Sequence, residues 1–232
     1  MLVCGILFLA PLGCGQTLSA AIEDNMSEIR RNVFEGQNDS LKVSFMSGER
    51  EDPYEYNGIS EKNIDFGIFT VYFNEFIGNY KVPFVATINE EKFEGMLEKN
   101  PYNESYMVDI EKCAADDAEI IISINNMPAV VLENISSTWQ VDYNQALELG
   151  KTYLNDELNE IYSSGKFQAE CYLKPITDEK FISGQYFWSF YVVDTKFVRH
   201  TVMFDVNSGD LLVKNKTNWQ NFKKLLKYNY EI

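Results

Sequence analysis

One histidine, His200, stands among 232 residues, and the chemistry open to the chain follows from that scarcity. A Ser-His-Asp or Cys-His relay has to run through His200, and zinc signatures built on two histidines cannot form. The four cysteines, Cys4, Cys14, Cys113 and Cys171, contain no C-x-x-C pair, so dithiol redox chemistry has no motif. Ser163-Ser164-Gly165-Lys166 satisfies S-x-x-K, but it follows a helical stretch, where carbonyl ends oppose the charge of an activated serine. Asp205, Asn207, Gly209 and Asp210 suggest a calcium loop, yet Gly209 occupies a ligand position and no Glu closes the twelve-residue loop. A hairpin turn accounts for the same residues. Asp116, Asp117 and Glu119, near Glu111, read as a solvated acidic loop. What remains for catalysis is a carboxylate pair of the glycoside-hydrolase kind, and among 35 acidic residues no pair is singled out. The expectation is a binding protein with no metal, no cofactor and no catalytic residue.

Charge narrows the partners. The formal net charge of -15 argues against nucleic acid, whose binding runs on Lys and Arg. Two places offer binding residues. Glu49 to Glu55, with Tyr54 and Tyr56, forms a polar and aromatic loop able to grip a sugar or peptide, because tyrosine supplies rigid amphipathic contact area. Phe187, Trp188, Phe190 and Tyr191 alternate along a strand, so one set faces the core and the other offers a partner site if left open, with Trp188 and Phe190 the candidates.

The elements that must position these residues divide into two modules. Ile22, Met26, Ile29 and Val33 fall at spacings of four, three and four, which predicts an amphipathic helix over 21–37 ended by Gly36. Period-two runs follow at Leu41 to Met46, Phe66 to Phe73, Val82 to Ile88, Tyr106 to Ile110 and Ile120 to Ile124, separated by turn residues. They predict an immunoglobulin-like β-sandwich over 38–134. Glu133 to Thr138 is polar and reads as a linker. Asp142 and Gln145 form a capping box for a helix reaching Gly165. Strands are expected at Gln168 to Leu173, Tyr186 to Val193, Val198 to Asp205 and Asp210 to Lys214, and then a helical tail over 217–232. The expected fold class is α+β.

Residues 1–20 read as an export signal: Met1 to Leu12 is apolar, too short to span a bilayer, and followed by small and polar residues. Leu12-Gly13-Cys14 resembles a lipobox, which implies lipidation of Cys14 and a membrane anchor. Cleavage near Ala20, releasing a soluble protein, and a buried N-terminal helix are the alternatives. Outside the cytosol a disulfide between Cys113 and Cys171 is permitted, though not demanded.

Residues 139–216 carry a resemblance. Gln185 to Val193 (QYFWSFYVV) and Phe204 to Leu212 (FDVNSGDLL), after a helix, resemble the PepSY domain family, in which an aromatic-rich strand neighbours a hydrophobic-Asp turn. The resemblance implies a helix packed on a small antiparallel sheet. It also implies an extracytoplasmic, non-catalytic role in which this module binds a protein partner such as an exported protease. The alternatives from the residues are a carbohydrate- or cell-wall-binding protein using sandwich loops, and a glycosidase.

Overall fold

The computed structural model describes residues 16–55, 57–75, 78–125, 127–163, 166–177 and 184–218. Cys14, Tyr56 and the tail beyond residue 218 lie outside them, so lipidation, half of the tyrosine pair and most of the tail helix stay at the level of sequence. The chain runs α1 (Leu18–Glu23), β1 (Met26–Gln37), β2 (Leu41–Glu51), β3 (Asn63–Phe73), β4 (Lys81–Ile88), β5 (Glu91–Lys99), β6 (Tyr106–Ile110), β7 (Ile120–Ile124) and β8 (Val130–Asn134). A 3-10 turn at Ser136–Thr138 leads to α2 (Tyr143–Tyr153), α3 (Asn155–Ile161), β9 (Ala169–Ile176), β10 (Phe187–Asp194), β11 (Val198–Asp205) and β12 (Leu211–Asn218).

The expected sandwich is replaced by a closed antiparallel barrel. Its strands follow the order β1-β2-β3-β6-β5-β4-β7-β8, and β8 returns to β1 through Phe34↔Asn134 and Glu35↔Glu133. Alternation such as the buried Val82, Phe84, Ala86 and Ile88 of β4 is the same in a sandwich and a barrel, so period two could not separate them. Closure is instead a matter of long range. β1, β2 and β3 are 12, 11 and 11 residues long, enough to coil around the core. Gly36, expected to end a helix, sits where β8 closes on β1; a Cβ there would stand 2.3 Å from the Val131 carbonyl oxygen. Phe45 packs 4.4 Å, centroid to centroid, from Phe69, and Phe34 and Phe84 extend the cluster. The middle of the barrel is therefore filled by side chains, as suits eight strands.

The helix expected over 21–37 is also corrected. α1 ends at Glu23, and Met26–Gln37 is a strand. The register of β1 shifts between Met26 and Glu28 against β9, and between Arg30 and Asn32 against β2. These irregularities bring Met26, Ile29 and Val33 into one core despite their odd spacing, so a bulged strand imitates a helical stripe.

The two-module α+β layout gives way to one sheet, because β1 serves both halves. Its first residues pair in parallel with β9, at Met26↔Cys171 and Ile29↔Leu173, and β9 to β12 continue as an antiparallel meander. Residues 133–138 are bound to β1 rather than loose: Ile135 N–H donates to Val33 O at 2.9 Å, and Ser136 Oγ accepts from Val33 N–H at 3.1 Å. α2 and α3 cover one face of the meander, with Ala146, Leu154 and Leu158 packed among Trp188, Phe190 and Phe204. Gly150 makes that contact possible, since a Cβ would lie 2.5 Å from Phe190 Cγ. Phe190 is fully buried and cannot swing aside. Gly150→Ala therefore loses about 1–3 kcal/mol by overpacking, despite the better helix propensity of alanine, as a lower urea midpoint would show.

The permitted disulfide is absent. Cys171 points into the core under α2, whereas Cys113 lies in the loop before β7, and both are free. Burial pushes both thiols above their ordinary range.

Candidate functional site

The bulge in β1 creates the most site-like place in the molecule. Arg31 is the extra residue, set where β1 passes from its pairing with β9 to its pairing with β8. Its guanidinium donates to Glu49 Oε1 at 2.5 Å and lies 5.4 Å from the Tyr143 ring centroid, at the first turn of α2. Around it opens a groove of about 490 Å³ between the barrel end and α2. Asn32, Asp116 and Asn134 form its barrel side, and Trp139, Tyr143 and Asn144 its helical side. A second hollow of about 390 Å³ continues past Arg31, Tyr143 and Asn144 toward Met26 and Leu147.

Local chemistry holds the walls rigid. Asn32 Nδ2 donates to Ala114 O at 2.8 Å, and Asn134 Nδ2 donates to Asp116 O at 2.8 Å. Asp142 caps α2 by accepting from Gln145 N–H at 2.8 Å, and Gln145 Oε1 accepts from Asp142 N–H at 3.0 Å. Trp139 meets Trp188 edge-on at 5.5 Å and packs against the tilted ring of Tyr186 at 5.2 Å. What lines the groove uncommitted, among the described residues, is the Asp116 carboxylate and the Asn144 amide, with the Arg31 side chain beside them and its Nε buried without a partner. Donors, acceptors and aromatic surface stand together there. The hollow on the barrel wall at Ile68, Met96, Met107 and Tyr102, about 580 Å³, differs, since its Glu98 and Asp109 are already paired with Lys81 and Arg50.

The binding residues expected from the sequence fall elsewhere. Trp188 and Phe190 are fully buried on the α2 side of β10, so neither offers a surface; the Trp188 indole N–H donates to Val141 O at 2.9 Å. Tyr54 exposes its ring, but its hydroxyl is tied into the sheet. Glu170, fully buried on β9, accepts from the Asn57 and Gly58 N–H groups at 3.0 Å each and from Tyr172 Oη–H at 2.6 Å. Tyr54 Oη lies 2.8 Å from Tyr172 Oη and 3.2 Å from Glu170 Oε2. The loop carrying Tyr54 is thus pinned by one carboxylate. Nothing local marked Glu170, which in Gln168 to Leu173 reads as the solvent-facing residue of a strand.

Glu51, beside this cluster, is buried with Oε2 unpaired. Burial raises its pKa above the ordinary 4.5, and the Glu170 charge adds to the rise. A carboxyl that holds its proton more tightly when folded contributes stability below pH 4.5 that is lost as pH climbs through its raised value. Glu51→Gln should therefore raise the urea midpoint at pH 7 relative to wild type, the difference vanishing near pH 4.

The remaining candidates are structural. Ser163 and Lys166, after α3, bond to each other through the backbone at 3.1 and 3.0 Å. Asp205 Oδ1 accepts from Asn207 and Ser208 N–H at 2.8 and 2.9 Å, and Gly209 takes φ +74°, which makes a β11–β12 turn. Those backbone bonds lower the Asp205 pKa. His200 is buried opposite Val192 and Lys216, and burial lowers its pKa. Among the described residues no three His, Cys, Asp or Glu side chains are placed to hold a metal ion, and no helix is long and apolar enough to cross a membrane.

Compared with protein-family models, with curated proteins and with solved structures, the chain matches none. The likeness to PepSY domains therefore rests on its own residues.

Proposed function

We propose that this is a non-catalytic binding protein whose groove at Arg31 takes a hydroxyl-rich ligand of the saccharide class. The observation that carries this is the groove's make-up: an uncommitted carboxylate, an amide and the partly exposed Arg31 side chain beside the rings of Trp139 and Tyr143. Sugar hydroxyls both donate and accept, and sugar C–H faces pack on aromatic rings, so a neutral polyol uses every one of these groups. The ion pair of Arg31 with Glu49, together with Asp116 and Asp142, disfavours an anionic ligand there.

Titration calorimetry with N-acetylglucosamine oligomers tests this. Saturable binding that weakens about tenfold in Arg31→Met and in Asn144→Ala, with unchanged circular dichroism, supports it, each lost polar contact being worth roughly 1–2 kcal/mol. Absence of binding, or binding indifferent to both substitutions, contradicts it.

Export with a lipid anchor at Cys14 belongs to the same proposal, and α1 supports it. Thr17 caps α1, Ala21 and Ile22 are buried, and Lys151 reaches Ser19 and Glu23 at 2.9 and 2.6 Å. Processing before Cys14 keeps that helix, whereas cleavage near Ala20 would remove half of it. A protein partner, such as the exported protease implied by the PepSY likeness, is the second reading. The exposed Leu211, Leu212 and Val213 on β12, which pairs with β11 alone among the described strands, favour it.

A further inference from the structure

Across the sheet from α2, three donor-bearing side chains on adjacent strands share one face. Tyr191 of β10 stands opposite Tyr172 of β9 and Thr201 of β11. The Tyr172 ring stacks on it at 4.5 Å and 8°. The Arg199 guanidinium lies 3.8 Å from the Tyr191 ring centroid, and Lys174 Nζ lies 5.5 Å from the same centroid. All three residues are half-buried.

The contrast with the rest of the chain gives the cluster its meaning. Other half-buried cations of this acidic protein have carboxylates, among them Arg30 with Glu28 at 2.6 Å, Arg31 with Glu49 at 2.5 Å, and Lys151 with Glu23 at 2.6 Å. Among the described residues neither Lys174 nor Arg199 has one. Among the described residues, the one side-chain hydrogen bond from the trio is Arg199 Nε–H to Thr201 Oγ1 at 3.0 Å. Glu28, the nearby carboxylate, is committed to Arg30. Burial lowers the Lys174 pKa, and the charges of Arg30 and Arg199 lower it further against Glu28. Half-desolvated cations without a counter-charge are costly. A guanidinium also presents its N–H groups as a rigid planar fork, which suits an oxyanion.

We propose that this face binds an oxyanion, a carboxylate or phosphate group, with Arg199 and Lys174 supplying charge and Tyr191 Oη–H a third donor. Every uncommitted polar group of the trio is a donor, so the matching ligand is made of acceptors and carries negative charge. The site lies on the opposite side of the meander from α2 and is independent of the saccharide reading.

The test uses the full chain, ¹⁵N-labelled, titrated separately with sodium phosphate and sodium citrate at an ionic strength held constant with sodium chloride. Saturable shifts on β9, β10 and β11 are expected, with affinity weakened about tenfold in Lys174→Met and in Arg199→Met, the loss expected for a charge-assisted hydrogen bond. Arg199→Lys, which keeps the charge without the fork, should fall between. Tyr191→Phe keeps the ring stack and removes one donor, so it tests the site even if a methionine variant fails to fold; about a threefold to tenfold loss is expected. Saturation by phosphate alone marks a phosphoryl ligand, by citrate alone a carboxylate ligand, and either supports the site. Shifts reproduced by chloride alone, or affinities indifferent to all these substitutions, overturn it.

Discussion

Glu170→Ala should cost about 3–5 kcal/mol, a large part of the stability of a chain this size, and appear as a sharply lower urea midpoint. The carboxylate is fully buried and accepts from two backbone N–H groups and from the hydroxyl of Tyr172, with Tyr54 alongside. Alanine leaves those donors facing a void, and an unsatisfied buried donor costs about 1–3 kcal/mol. Glu170→Gln separates charge from shape. Its carbonyl oxygen still accepts from Asn57 and Gly58, and the Tyr172 hydroxyl can turn to accept from the new amide, so the loss falls to about 1–2 kcal/mol. Equal losses in the two variants would mean that the loop is held by something other than these bonds. Amide exchange at Asn57 and Gly58 adds a local readout: both should be protected in wild type and exposed early in Glu170→Ala.

Trp188→Ala is expected to lose about 3–5 kcal/mol, the cost of emptying a fully packed tryptophan site. The indole also donates to Val141 O and braces Trp139, so the start of α2 loosens with it. Any ligand lost by this variant is lost through the fold, because Trp188 presents no surface. A loss below about 0.5 kcal/mol would contradict the packing of α2 on the meander, since that is the range of surface substitutions.

Much of the element order was legible because it is local. Period-two runs mark β2, β3, β4, β6 and β7, and Asp142 with Gln145 marks the start of α2 through a capping box that both residues complete. β5 was hidden by its charges. In Glu91–Lys99 five side chains are charged, and Leu97 is the one fully buried residue, because the strand shows its outer face to water. β1 was misread because its register shifts scramble the alternation that marks a strand. Closure of the barrel depends on Phe34 and Glu35 meeting Asn134 and Glu133 a hundred residues away, which no local spacing records.

The candidate sites show the same division. Tyr54 stood out by type, in an aromatic and acidic loop, but its role comes from Glu170, 116 residues further on. Arg31 and Asn144 carried no signal. One is a charged residue in a strand taken for a helix, and the other a polar residue in a helix's first turn. Their meeting depends on the bulge in β1 and on how α2 lies across it. Tyr191 was seen as part of an alternating aromatic strand, and the cations beside it were not, because Lys174 and Arg199 come from the two neighbouring strands.

The most direct measurement is a chemical-shift map of the ¹⁵N-labelled protein with N-acetylglucosamine oligomers. Saccharide binding at the inter-half groove predicts saturable shifts confined to Arg31 and Asn32, to Asp116, to 134–139, and to Tyr143 and Asn144. Shifts centred instead on the Tyr54 loop or on β12, or none at millimolar oligomer, would contradict it.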